Sequence, residues 1–262
     1  RWGKFSKTQG AAAQKDCELA SLCSVATTTL TTHQRAVRST VAAKALMAVT
    51  GLILILFLLM HMFGNLKLLA SNEEFNRYAG FLRTILNPIL PGESFLWIFR
   101  IFMLLAIVLH IWSAIRVNKQ RNIGTGGAGR YSVKKNLSPE NTYAARTMFW
   151  GGWIIFLFLI LHLLQFTISP DLLNNPPTDA AGRAGMVLTA FSHWWFVLIY
   201  LIAMIAVCMH VSHGFWSAFA TLGVNVSGTA RAVLRVCSWI VAIVIFVGFM
   251  TPPFLVLFGV IS

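Results

Sequence analysis

Four histidines are spaced about 50 residues apart along the chain, and each lies in its own long apolar segment. They are His61, His110, His162 and His210. An ionisable side chain inside a membrane-spanning segment is costly and is by default a candidate for function. Neutral imidazole is a good axial ligand for haem iron, so four such side chains on four helices can hold two bis-histidine haems.

The composition predicts a membrane protein. The 262-residue chain is 57% hydrophobic and only 11% charged, whereas a soluble domain has about 25% charged residues. We therefore expect one transmembrane domain and no soluble catalytic domain. The net charge is +13, but the basic residues flank apolar segments. The expected partner of these charges is the lipid bilayer rather than a nucleic acid.

Five apolar segments meet the roughly 20 residues that a membrane-spanning helix requires. The predicted spans are Val41–Leu69, Ser94–Val117, Tyr143–Ile168, Phe191–Leu222 and Ala232–Val260. The predicted fold is all-α, an integral membrane bundle of five transmembrane helices in residues 41–262. Residues 1–40 are rich in Thr, Ala and Ser and are expected to form a disordered cytoplasmic extension. This extension contains Cys17 and Cys23, which do not indicate a disulfide framework.

The basic residues predict the orientation. Most of the 21 Lys and Arg residues lie in the N-terminal tail, between spans two and three, and between spans four and five. The positive-inside rule then places the N-terminus in the cytoplasm and the C-terminus outside. His61 and His162 would lie nearer the outside, and His110 and His210 nearer the cytoplasm. A helical rise of 1.5 Å per residue separates these pairs by about 12–15 Å, which predicts two haems at two depths.

Residues around the inner pair are candidates for haem contact. Gly51 and Gly152 each precede a histidine by ten residues, which places both near the depth of the inner pair. A glycine there can let a flat macrocycle approach the backbone, or can serve helix–helix packing. The polar candidates near the inner surface are Lys44, Arg116, Arg146 and His213. The three cations could contact propionates or act as topogenic charges, and His213 could meet a propionate or a partner surface.

On the predicted outer side, several polar residues could bind a quinone. A quinone site needs hydrogen-bond donors to the carbonyl oxygens and a proton source. The candidates are Asn65, Arg83, Glu93, Gln165 and His193. Gln165 is three residues from His162 and is expected to share its side of the helix. Capping or turn roles are the alternative for the loop residues.

Several runs of residues resemble one family. They are Thr50-Gly51, His61-Met62-Phe63-Gly64-Asn65-Leu66, Pro88-Ile89-Leu90-Pro91, His110, His162 and His210-Val211-Ser212-His213-Gly214-Phe215-Trp216-Ser217. Together they resemble the cytochrome b subunit of succinate:quinone oxidoreductases, in the branch with a five-helix anchor and two haems b. The resemblance covers roughly Ser39–Ser262.

The resemblance implies a subunit of respiratory complex II, a succinate dehydrogenase or fumarate reductase, in the bacterial cytoplasmic membrane. Such a subunit anchors a flavoprotein and an iron–sulfur protein at the cytoplasmic face, and the dicarboxylate chemistry takes place on the flavoprotein. Electrons pass through two haems b to a quinone, here expected to be menaquinone. By this resemblance His110 and His210 hold the proximal haem, and His61 and His162 the distal one. A higher oligomer is left open.

One departure and three alternatives accompany this resemblance. Some fumarate reductases of this branch carry a carboxylate two residues before the fourth ligand, where this chain has Cys208, which favours succinate oxidation. Cys208 and Cys237 could instead hold a Rieske-type cluster with the inner histidines. A stand-alone transmembrane dihaem cytochrome b is the second alternative. A transporter with proton-relaying histidines is the third, and the regular spacing and the lack of buried carboxylates argue against it.

Overall fold

The computed structural model describes residues 39–89, 92–124, 143–168 and 182–261. The predicted N-terminal extension, with Cys17 and Cys23, lies outside the described residues except for its last two positions. The described part is helical throughout, without strands. In chain order the helices are α1 (Thr40–Leu66), α2 (Asn72–Thr84), α3 (Ser94–Gly124), α4 (Tyr143–Leu163), α5 (Gly182–Phe191), α6 (Trp194–Thr221) and α7 (Gly228–Leu257).

Five of these helices, α1, α3, α4, α6 and α7, are long and apolar enough to cross a membrane. The prediction of five transmembrane helices is therefore confirmed for the described part of the chain. In lipid, a spanning segment must satisfy its own backbone hydrogen bonds, so a long apolar segment forms a helix. α1 continues as a tight turn through Leu69, and α4 continues as a wider π-helical turn over Leu164–Ile168.

The ends of the spans differ from the predicted ends by a few residues. α3 extends to Gly124, beyond the predicted Val117, because the polar residues that follow the apolar segment remain helical. α7 begins at Gly228 rather than at Ala232. The Ser227 hydroxyl accepts a hydrogen bond from the backbone N–H of Ala230 at 3.0 Å, which caps this earlier start.

Two short helices, α2 and α5, were not predicted. α2 begins after Ser71, whose hydroxyl accepts from the backbone N–H of Glu74 at 3.0 Å. The Asn76 side chain of α2 accepts from the backbone N–H of Ala184 at 2.9 Å, in the first turn of α5. Gly182 has φ +58°, and a side chain there would meet Asn76. These contacts hold the two short helices together.

The buried core lies where α6 packs along α7, α4 and α5. Ile245 of α7 and Ala184 of α5 are fully buried, and Phe196 of α6 is nearly so. A Cβ at Gly248 of α7 would overlap the sulfur of Met62, so α7 approaches α1 closely at this glycine. Large apolar side chains on the other faces of α3 and α4 are exposed, as lipid-facing surfaces require.

Candidate functional site

The structure brings the four histidines of the spanning helices together in two pairs. The ring centres of His61 on α1 and His162 on α4 lie 5.8 Å apart. Those of His110 on α3 and His210 on α6 lie 6.3 Å apart. These are the two pairs that the alternating direction of the spans predicts, although their role as metal ligands stays a prediction.

The two pairs lie at different heights in the bundle. A Cβ on Gly51 would lie 3.2 Å from Cε1 of His110, and one on Gly152 would lie 3.8 Å from Cε1 of His210. Each glycine is ten residues before a member of the other pair, which corresponds to about 15 Å of helix. α1 and α4 therefore each contribute a histidine to the His61–His162 pair. About 15 Å away along the helix, each places a glycine beside the His110–His210 pair.

The His61–His162 pair is enclosed by aromatic rings. His61 stacks on Phe57 with ring centres 5.4 Å apart, and Phe249 of α7 lies 5.5 Å from it. Nδ1 of His162 lies 3.0 Å from the Tyr200 hydroxyl of α6. That hydroxyl donates a hydrogen bond to Oε1 of Gln165 at 2.8 Å. The surroundings of this pair are thus mostly aromatic, and the Tyr200 hydroxyl supplies a polar contact to His162.

The His110–His210 pair has less symmetrical surroundings. Nδ1 of His110 lies 3.2 Å from the Thr50 hydroxyl, which donates to the backbone carbonyl of Leu46 at 2.7 Å. Nδ1 of His210 is buried and has no hydrogen-bond partner among the described residues. A buried polar atom without a partner destabilises the fold. Hydrogen-bonded packing therefore does not account for His210.

The spacing within each pair fits two imidazoles on opposite sides of one metal ion. Two metal–nitrogen bonds of about 2 Å each, with roughly 1 Å from nitrogen to ring centre, place the ring centres about 6 Å apart. The observed separations are 5.8 and 6.3 Å. The absence of a side chain at Gly51 lets the His110 ring lie close to the backbone of α1, because a Cβ there would be 3.2 Å from Cε1. Each pair therefore has the residue type and the spacing that bis-histidine ligation of one haem iron would need, and the ligation itself stays a prediction.

The remaining interpretations of the histidines find less support in the described residues. The buried polar side chains are Thr50, Ser113, Gln165, Ser212 and Ser238. None of them is a carboxylate, which a proton relay through the histidines would be expected to use. No group of three or more His, Cys, Asp or Glu within the described ranges could hold one metal ion. Cys208 and Cys237 are both half-buried, and their role as ligands of a Rieske-type cluster stays an untested alternative.

The structure describes the side chains of three of the four residues that were predicted to contact haem propionates. The guanidinium of Arg116 lies over the Trp112 ring, 5.2 Å from its centre, on the same helix α3. Lys44 is exposed near the start of α1. His213 lies 6.4 Å from the ring of Trp216 on α6. The side chain of Arg146 is outside the described residues.

Two of the five quinone candidates contact each other, and the other three make separate contacts. Arg83 and Glu93 form an ion pair with Nε and Oε1 2.9 Å apart. Asn65 donates to the His61 carbonyl of its own helix at 2.8 Å. Gln165 is fully buried, whereas His193 is exposed and lies 3.0 Å from the Thr189 carbonyl.

An apolar groove also lies near the His61–His162 pair. It runs between α1 and α7 and is lined by Met62, Leu66, Leu69, Ile243, Val244, Val247, Gly248 and Thr251, with none of the quinone candidates among them. The structure thus adds an apolar groove near the His61–His162 pair and brings two of the five quinone candidates, Arg83 and Glu93, into contact.

Sequence reasoning did not select Tyr200 as a site residue and named Thr50 only as part of a motif. Tyr200 is ten residues before His210 on α6. This is the spacing that Gly51 and Gly152 have from their own histidines, so Tyr200 lies at the level of the other pair. Searching each span ten residues before its histidine would have found it.

A comparison of the chain with protein families, with curated proteins and with solved structures finds no match. The functional assignment therefore depends on the arrangement of these residues.

Proposed function

We propose that this chain is the membrane anchor and electron-transfer subunit of a succinate:quinone oxidoreductase, holding two haems b between five transmembrane helices. The observation that carries the proposal is the pairing of four histidines from four spanning helices at two heights about 15 Å apart. The motifs that resemble the cytochrome b subunit of this enzyme class support the choice of complex.

In this proposal each residue type has a distinct task. His61 and His162 hold one haem through their ring nitrogens, and His110 and His210 hold the other. Gly51 lets the His110 ring lie close to the backbone of α1, whereas the contact between Gly152 and His210 would tolerate a Cβ. When bound, each haem supplies a one-electron carrier. The aromatic rings around His61 and His162 exclude water, which makes the local environment apolar and so affects the reduction potential.

The two ends of the bundle would serve different partners. The Lys44 and Arg116 end, proposed to be cytoplasmic, would meet the iron–sulfur and flavoprotein subunits and the propionates of the nearer haem. The other end carries the Arg83–Glu93 ion pair and would meet the quinone, proposed to be menaquinone. The proposed location is the bacterial cytoplasmic membrane. Cys208, in place of a carboxylate, favours the direction of succinate oxidation.

The test is the haem content of the purified full-length protein and of two matched variants. We expect two low-spin b-type haems per chain. His210→Ala should lose one haem, because the His110–His210 pair is broken. His193→Ala is the control, because it removes an exposed imidazole at the N-terminal cap of the same helix, from a residue that is proposed to contact neither haem. Absence of haem from the wild type, or equal haem loss in both variants, would contradict the assignment.

A second measurement separates the complex from a stand-alone cytochrome. When the chain is purified under mild conditions from its native membrane, the proposal expects a flavin-containing partner with succinate-dependent haem reduction. Two haems without any flavin partner would instead support a stand-alone dihaem cytochrome b.

A further inference from the structure

The Tyr200 hydroxyl lies between two polar groups inside the bundle. It is 2.8 Å from Oε1 of Gln165 and 3.0 Å from Nδ1 of His162. Tyr200 is 7% exposed and Gln165 is fully buried, so water does not compete for these contacts. Phe158 and Phe191 pack edge-on against the phenol ring, with ring centres 4.8 and 4.9 Å away. The hydroxyl is therefore held in one position.

The proton positions in this chain of three residues follow from what each atom can do. A carbonyl oxygen only accepts, so the single hydroxyl proton of Tyr200 is donated to Gln165. The tyrosine oxygen then faces Nδ1 of His162 as an acceptor. His162 must donate to it, which places the imidazole proton on Nδ1 and leaves the lone pair on Nε2.

The same arrangement recurs, with different residues, in the other pair. The Thr50 hydroxyl donates its proton to the carbonyl of Leu46 at 2.7 Å, and so accepts from Nδ1 of His110 at 3.2 Å. His110 is thereby held as the same tautomer. One histidine of each pair is thus anchored by a hydroxyl from a neighbouring helix, whose own proton is already donated elsewhere.

We infer that Tyr200 is a positioning residue that fixes His162 with Nε2 free to bind iron, and that Thr50 does the same for His110. The inference rests on the proposed function, since it assumes a haem between the histidines of each pair. A hydrogen bond from Nδ1 makes the imidazole a stronger donor to the metal. The stronger donor stabilises the oxidised iron and lowers the reduction potential of that haem alone.

The test compares Tyr200→Phe and Thr50→Val in the purified holoprotein, each serving as the control for the other. Both changes remove one hydroxyl and nearly preserve side-chain volume. The readouts are a redox titration of both haems and the low-spin ferric electron paramagnetic resonance signals. Each component is assigned to a pair through a ligand variant that loses one haem.

In Tyr200→Phe we expect the reduced-to-oxidised ratio of the His61–His162 haem at a fixed potential to rise about fivefold. Its resonance signal should shift, and the other haem should remain at the wild-type values. Thr50→Val should show the converse. If Tyr200→Phe does not retain haem, Gln165→Leu should shift the same haem in the same direction by less, because the tyrosine keeps its place.

Wild-type potentials and signals in Tyr200→Phe would overturn the inference, as would a shift of the same haem in both variants. If Tyr200→Phe does not retain haem, a wild-type potential of the His61–His162 haem in Gln165→Leu would overturn the inference. In these cases the wild type still contains two haems, so the proposed function stands. A wild type without haem would instead refute the proposed function, and this inference with it.

Discussion

Replacing Gly51 by alanine tests whether the space beside His110 is functional. The new methyl carbon would lie 3.2 Å from Cε1 of His110, a contact that requires the ring to move by a few tenths of an ångström. Thr50, the next residue along α1, lies 3.2 Å from Nδ1 of the same ring and restricts that movement. We therefore expect Gly51→Ala to disturb the His110–His210 pair.

Two other glycines supply matched controls for the magnitude. At Gly152 a Cβ would lie 3.8 Å from His210, which is an ordinary contact, and at Gly151 nothing lies within 4 Å. All three changes gain about 1 kcal/mol of helix propensity, so this term cancels in the comparison. The difference between Gly51→Ala and the two controls is the overpacking cost, about 1–3 kcal/mol. That corresponds to roughly a 5- to 150-fold loss of affinity for the haem of this pair.

The assay is the occupancy of each haem during thermal release or competition with apomyoglobin. Gly51→Ala should lose the haem held by His110 and His210 first and keep the other. Gly152→Ala and Gly151→Ala should retain both. Equal retention of both haems in all three variants would refute the argument that Gly51 provides required space.

Three further variants test packing and capping. Gly248→Ala should lower the unfolding temperature, because its Cβ would overlap the Met62 sulfur, and Met62→Ala in the same chain should restore part of the loss. Asn76→Ala removes the acceptor for the first turn of α5 and should cost about 0.5–2 kcal/mol in denaturant unfolding. Ser71→Ala should cost about 1 kcal/mol by losing the α2 cap; hydrogen exchange confined to α2 would show it, and wild-type exchange there would contradict it.

The five spanning helices could be predicted because the criteria for a span are local. Length and apolar content are visible in a single segment, and an apolar segment in lipid must form a helix. The two short helices were missed for different reasons. Ser71 and Glu74 form a local capping signal that a search for apolar segments passes over. α5 depends on Asn76, which lies more than 100 residues before Ala184, so no local pattern indicates it.

The pairing of the histidines could also be predicted, because height along a helix depends only on residue number. The rise of 1.5 Å per residue is the same for every sequence, so residues at matching heights on antiparallel spans can be listed without a structure. The same calculation places Gly51 and Gly152 at the level of the His110–His210 pair, and the structure shows that Gly51 lies beside His110 and Gly152 beside His210.

The hydrogen-bond partner of a side chain could not be predicted in the same way, and Gln165 shows why. Its position three residues after His162 predicts a shared side of the helix, and both side chains reach the Tyr200 hydroxyl. That position did not indicate that Gln165 is fully buried with its carbonyl on Tyr200 rather than open to a quinone. The partner depends on the residue that a second helix presents. The hydrogen-bond partner of a histidine therefore had to be observed, even though its height could be calculated.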